Sequence, residues 1–190
     1  MESGAIPDDR ITASSFYEIA FAPYRGRLNE ASGSWAAQAS TIGEWLQVDI
    51  ERMKRVTGTV IQGRHNSDQW VASYKVQYSA DGINWSTYAG SEGSEKVFPG
   101  NTDRSTPVTN LLDNPVEARY VRFYPQSWYN WITMRAEILV CRESNGPCYE
   151  MKLLDPRNED GVYTIYPFSA CQNVPISVYC HNMASGNPEE

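Results

Sequence analysis

The groups in this 190-residue chain that could carry catalysis or hold a metal are two histidines, His65 and His181, four cysteines and 23 carboxylates. A hydrolase needs a nucleophile beside a placed base, and neither histidine lies in a Gly-x-Ser-x-Gly or other nucleophile context. A glycosidase needs two facing carboxylates, and spacing selects no pair among the 23. Cys141, Cys148, Cys171 and Cys180 form no Cys-x-x-Cys, so with so few histidines a zinc site is not expected. Disulfides of a secreted chain fit this cysteine usage better. No enzyme, cofactor or metal function is therefore expected, and binding chemistry is what remains. Two stretches could supply it. Phe16 to Tyr24 is aromatic without a regular period and is broken by Pro23. His65 to Trp70 is a polar loop ending in a single indole. The rings of such loops either fold under as a satellite cluster or stand proud as a contact surface.

Charge narrows the partners. The net charge is −7, with 13 basic and 16 acidic side chains in residues 1–141 and 3 and 7 in residues 142–190. That balance opposes nucleic acid and weakens any purely electrostatic attraction to anionic lipid. No apolar run approaches the length of a membrane span. The opening Met1-Glu2-Ser3-Gly4 is polar and lacks the apolar core of a signal peptide, as expected of an internal piece of a longer secreted protein or of a cytosolic chain. Asn84-Trp85-Ser86, the one Asn-x-Ser/Thr sequon without Pro at x, is exposed enough for glycosylation, but the bulky Trp at x counts against occupancy and a plain turn residue is the preferred reading.

The elements that must position these loops are strands. Glu44 to Ile50 alternates, sending Leu46, Val48 and Ile50 to one face and Trp45, Gln47 and Asp49 to the other. Trp45 is expected to be a large buried ring. A carboxylate beside it needs a cation, for which Arg119, Arg122 and Arg135 are available. Further strands are read at residues 11–13, 56–64, 72–79, 85–88, 95–98, 118–124 and 132–140. Residues 100–118 read mostly as loop, and Pro125 is expected to end the strand before it. The two glycines at 58 and 63 suggest a bulge or a close backbone approach. Trp35 is expected to plug one end of the core, and Asp81-Gly82 is a strong hairpin signal. Many short strands and no amphipathic helix predict an all-β sandwich or jelly roll.

These residues also resemble a known family. The ordered series Ile11-Thr12-Ala13-Ser14-Ser15, Trp45-Leu46-Gln47-Val48-Asp49, Val56-Thr57-Gly58, Gln62-Gly63-Arg64, Tyr74-Lys75-Val76-Gln77-Tyr78-Ser79, Ala118-Arg119-Tyr120-Val121-Arg122, Pro125-Gln126-Ser127-Trp128 and Arg135-Ala136-Glu137-Ile138 is similar to the discoidin, or coagulation factor V/VIII type C, domains. The resemblance covers residues 1–141 and implies an eight-stranded jelly-roll sandwich that binds ligands through loops at one end. It also implies that Asp49 and the strand arginines are buried structural charges. Because the family's first cysteine precedes its Met-Glu-Ser-Gly, Cys141 is expected to lack its partner.

Residues 142–147 read as a linker. In 148–190, Gly161 to Pro167 and Val178 to Met183 resemble the opening of fibrinogen-like domains, whereas Asn187-Pro188-Glu189-Glu190 resembles a GON domain. That short segment is expected to lean on a Cys148–Cys180 disulfide.

The resemblance implies an extracellular ligand-binding and cell-adhesion module, secreted or part of an ectodomain. Phospholipid-binding relatives carry apolar residues at three loop tips over basic ones. Here Ile19, Ala20 and Phe21 fit, but the second loop has Ala39-Ser40-Thr41 and the third Asn66-Ser67-Asp68. Ala36 and Ala37 stand where such relatives are basic, and the spaced His and Arg of fucose binders are missing. The expected ligand is a cell-surface or matrix glycan or glycoprotein, held by Ile19, Phe21, Tyr24, Ser40, Asn66, Asp68 and Trp70. The third loop is expected to lead. Weak binding of anionic phospholipid through the same loops is the alternative.

Overall fold

A computed structural model describes residues 1–141 and 159–160, together with the backbone of 161–165 and 176–180. The chain divides into two units, Met1–Val140 and Cys141–Glu190. The first unit holds eight antiparallel strands: β1 (Ile11–Ala13), β2 (Trp35–Ala36), β3 (Leu46–Gln62), β4 (Trp70–Ser79), β5 (Ser86–Thr87), β6 (Phe98–Pro99), β7 (Val108–Tyr129) and β8 (Thr133–Val140). Hydrogen bonding runs in the order β2-β8-β3-β7-β4-β5, with β1 on β3 and β6 on β4. The all-β jelly-roll expectation is met.

β3 and β7 are each long enough to serve both layers. Leu46 to Asp49 of β3 pairs with β7 residues 123 to 120, which in turn pair with β4. After a register shift, residues 54 to 61 of β3 lie between the first part of β7 and β8. Two sequence expectations are corrected here. β3 does not break at Glu51-Arg52 but bends through them, Glu51 taking a positive φ of 71°. β7 starts at Val108, within a stretch read as loop, and passes through Pro125 because a register shift opposite it, between Ser73 and Tyr74, removes the need for its missing N–H. The strands expected at 85–88 and 95–98 shrink to β5 and β6.

The core follows from the alternation. Leu46, Val48 and Ile50 are buried in one core cluster with Val121, Phe123, Tyr74 and Met134, each such side chain contributing roughly 1.5–3 kcal/mol. Trp35 is fully buried, as expected, and its Nε1–H donates to the Ser15 carbonyl at 2.9 Å. Between the layers the Tyr74 hydroxyl hydrogen-bonds Thr59 at 2.7 Å and accepts from Asn110 at 3.0 Å, while burial pushes its pKa up to about 12. Gly58 lies at the β3 register shift, and a Cβ there would stand 2.7 Å from the Asn110 carbonyl oxygen. A close approach of two strands requires glycine at that point.

The outer face carries the charges. The Asp49 carboxylate accepts two bonds from Arg119 at 2.9 Å, one from Arg10 at 2.7 Å and one from the Glu51 N–H at 2.8 Å. The Arg119 bonds hold its pKa below the usual carboxylate range against the opposing effect of burial. The other expected partners are employed elsewhere. Arg135 is buried and donates to the carbonyls of Gly63, Glu30 and Arg104. Arg122 lies between two indoles, 4.1 Å from the Trp45 ring centre and 3.6 Å from that of Trp85. Trp45 is thus half-buried on the outer face rather than in the core.

Cys141 is disulfide-bonded, which corrects the expectation that it lacks a partner. In the second unit β9 (Gly161–Ile165) and β10 (Ile176–Cys180) form an antiparallel pair with Ile176 opposite Ile165. The Cys148–Cys180 pairing and the 142–147 linker lie outside the described residues.

Candidate functional site

Strand directions bring the loops together. β2 opens into loop 37–45, β4 begins where loop 63–69 ends, and β7 and β8 are joined by residues 130–132. The 14–24 segment is tied to the same end: the Tyr17 N–H donates to the Ala36 carbonyl at 3.0 Å, and the Gln38 N–H to Ser15 Oγ at 3.0 Å. Short 3-10 turns at Ile19–Phe21 and Pro23–Gly26 fold this segment back, the second opening on Pro23, whose fixed φ suits a first turn.

Residues 130–132 are the hub. Trp131 Nε1–H donates to the Ala37 carbonyl at 2.8 Å, the Ile132 N–H to Ser40 Oγ at 3.0 Å, and Asn130 Nδ2 to the Asp68 carbonyl at 2.7 Å. Tyr17 meets Trp131 edge-on at 6.0 Å and Phe21 at 6.1 Å. The Arg64 guanidinium lies 4.6 Å from the Phe21 ring centre, within cation–π range. Arg64 also donates to Asn66 Oδ1 at 2.7 Å and Gln69 Oε1 at 2.9 Å, two neutral groups, and no carboxylate among the described residues pairs with it.

The expected site residues divide accordingly. Ile19 projects into solvent at 71% exposure. Phe21 is half-buried, a wall beneath Arg64 and Tyr17 rather than a tip. Tyr24 is also half-buried, with the Arg25 guanidinium 5.3 Å from its ring. Ser40 braces the Ile132 backbone. The tip of the second loop is the Thr41-Ile42-Gly43 turn, with Ile42 61% exposed, and not Ala39-Ser40-Thr41. Ala36 and Ala37 are buried, so they present nothing to a ligand.

In the third loop the polar groups serve the loop itself. Asn66 accepts from Arg64. Asp68 accepts from Arg104 Nε at 2.6 Å, and this bond lowers its pKa. Trp70 stacks on Tyr129 with ring centres 4.5 Å apart and planes 12° apart. Beside them lies an open cleft of about 530 Å³ lined by Asp68, Trp70, Thr102, Asp103, Arg104, Ser105 and Thr106. Among the described residues, no group of three or more His, Cys, Asp or Glu is placed to hold a metal ion. His65 Nδ1 is buried without a hydrogen-bond partner among the described residues.

Sequence reasoning missed Tyr17, Ile42, Arg64 and Trp131. Ile42 had a signal, an aliphatic residue inside a Thr-x-Gly turn. Trp131 had one too, an indole between an Asn and the last strand. Phe16, Tyr17, Ile19, Ile42 and Tyr129, all exposed, crowd this end. The arrangement offers a contact surface with apolar tips, the Arg64 guanidinium and a polar cleft at its side.

Comparison with known proteins agrees with that architecture. Lactadherin from Rattus norvegicus is 42% identical over 151 residues, 74% of this chain and 35% of the relative. Hemocytin from Bombyx mori is 36% identical over 190 residues, 97% of this chain and 6% of the relative. The chain therefore spans about a third or less of these relatives' lengths. Among solved structures, discoidin II from Dictyostelium discoideum superposes with a TM-score of 0.65 at 26% identity, over 72% of this chain and 56% of that one. The F5/8 type C domain model matches residues 10–138, and the chain belongs to that family.

Proposed function

We propose that residues 1–141 form an extracellular binding module that attaches its parent protein to a phospholipid surface through the loop end. The observation that carries this reading is the pair of aliphatic tips, Ile19 and Ile42, exposed on neighbouring loops above the Tyr17, Phe21 and Trp131 cluster. An apolar tip gains by leaving water, and Arg64 just beneath adds a positive charge for a headgroup phosphate. The 13 basic and 16 acidic side chains of residues 1–141 make the attraction chiefly apolar rather than electrostatic. The disulfide at Cys141 supports an oxidising, extracellular location.

Sedimentation with phosphatidylcholine vesicles, with and without phosphatidylserine, tests the reading. Binding that is lost in Ile19→Ser/Ile42→Ser and kept in Trp70→Ala supports it; the reverse pattern overturns it.

A second reading rests on the cleft beside Trp70. An indole next to an Arg–Asp pair and several hydroxyls suits a sugar ring, whose apolar face stacks while its hydroxyls hydrogen-bond. A cell-surface or matrix glycan or glycoprotein is its ligand, and Trp70→Ala with Arg104→Ala is the variant that abolishes it. In both readings the module is an adhesive one. Residues 148–190 we read as the start of a GON-like or fibrinogen-like domain. The β9–β10 pair, falling on the stretches that carry the fibrinogen-like resemblance, supports the second of these.

A further inference from the structure

The Asn84-Trp85-Ser86 sequon takes no part in the binding end. β4 carries the chain ten residues, Trp70 to Ser79, away from the third loop before the hairpin begins, a distance of about 30 Å. The turn beyond it is built by Asp81. Its carboxylate accepts from the backbone N–H groups of Ile83 and Asn84, each at 2.8 Å, and from Asn84 Nδ2 at 2.8 Å. Asn84 and Ser86 are exposed, and β5 leaves the turn through Ser86.

Trp85, the middle residue, is turned to the sheet. Its Nε1–H donates to the Gly82 carbonyl at 3.1 Å and its ring covers Arg122 at 3.6 Å, so it does not cover the Asn84 amide. Beside the amide stands Ile83, at 80% the most exposed large apolar side chain among the described residues.

We propose that Asn84 is N-glycosylated, with the glycan carried on the hairpin at the far end of β4 from Trp70. The step joins Asn84 Nδ2 to the anomeric carbon of a lipid-pyrophosphate-linked oligosaccharide. The bond from that carbon to the pyrophosphate oxygen breaks, the lipid pyrophosphate leaves, and Nδ2 gives up one proton. Of the two Nδ2 hydrogens one is bonded to Asp81, and the substituted amide keeps one N–H, so the turn survives modification unchanged. The glycan then shields Ile83.

The inference rests on the extracellular reading, because the donor is met in the secretory pathway. The test therefore secretes the full chain from insect or mammalian cells behind a heterologous signal, so that the outcome does not depend on the native route. Native location is read separately, by immunodetection in culture medium against cell lysate. The expected result is a downward mass shift on peptide-N-glycosidase treatment, with Asn84 converted to Asp in the mapped peptide. That shift is absent in both N84Q and S86A, two variants that leave the backbone turn in place. S86T, which keeps the sequon, should retain the shift. Secreted, folded parent protein whose Asn84 peptide is unmodified overturns the proposal, whatever S86T shows. Glycosylated Asn84 in a native protein confined to the lysate would instead overturn the extracellular reading.

Discussion

Replacing Ile19 and Ile42 by serine measures what the two tips contribute to surface attachment. Complete burial of an isoleucine side chain stabilises by roughly 1.5–3 kcal/mol. At 71% and 61% exposure the two together have about 1.3 side chains' worth of surface left to bury, so the double variant should lose roughly 2–4 kcal/mol of attachment free energy. That corresponds to roughly a 30-fold to several-hundred-fold weaker partition onto vesicles, and each single variant to about 5- to 30-fold. Because both side chains stand in solvent, folding stability should change by no more than about 0.5 kcal/mol, read from the urea midpoint. The assay is sedimentation with sucrose-loaded phosphatidylcholine vesicles, repeated with phosphatidylserine and at two salt concentrations. Attachment led by apolar tips should respond weakly to salt, since screening acts only on the small Arg64 contribution. A double variant that binds within threefold of the parent would refute the reasoning. So would a parent whose binding collapses on adding salt, which would mean that charge and not apolar insertion holds the domain to the membrane.

Asp49→Asn keeps the size of the side chain but leaves Arg119 and Arg10 without their carboxylate. Removing one partner of a buried pair costs ~3–5 kcal/mol, and the partial exposure of both arginines brings the expected urea loss to about 2–3 kcal/mol. The gap should also depend on pH. The folded pKa of Asp49 is depressed, so its contribution is complete above the ordinary carboxylate pKa and lost as pH falls through the lower folded value. The stability difference between parent and D49N should therefore shrink below about pH 4, and a constant difference would show that Asp49 titrates normally. Trp45→Ala should cost about 1–3 kcal/mol, less than the ~3–5 of a core ring, with a coupling of roughly 0.5–2 kcal/mol to Arg122→Ala in a double-mutant cycle. Additive losses would mean that the stack contributes nothing. Cys141 should resist N-ethylmaleimide in the unreduced, unfolded protein; alkylation there would show that its disulfide does not form.

Much of the sandwich was legible because it rests on local patterns. Alternation alone placed Leu46, Val48 and Ile50 inward and Asp49 outward, and the need of a buried carboxylate for a cation pointed to a strand arginine. Trp35, the 81–82 hairpin and the close approach at Gly58 were likewise visible, since ring size, turn chemistry and a missing Cβ are properties of single residues. Continuity of the long strands was not. Whether β3 breaks or bends at Glu51 and whether β7 passes Pro125 depends on register shifts set by the partner strands. A sequence therefore shows the proline but not the shift that accommodates it.

The division is sharpest at the binding end. The sequence by itself determined the family, the all-β class, the absence of a nucleophile-and-base pattern and the two stretches rich in contact chemistry. It could not decide which side chains of those stretches remain free, because that depends on neighbours brought from far along the chain. Asn66 and Asp68 read as open hydrogen-bonding groups until Arg64 and Arg104 are set against them. Ser40 read as a ligand group until Ile132 arrives 92 residues later. Phe21 read as a tip until Tyr17 and Arg64 wall it in, leaving Ile19 and Ile42 outermost. Composition supplies the polar groups and rings of a loop, but only tertiary contact decides which are consumed internally and which are left for a ligand, since each donor or face already satisfied within the fold has little left to gain from an outside partner.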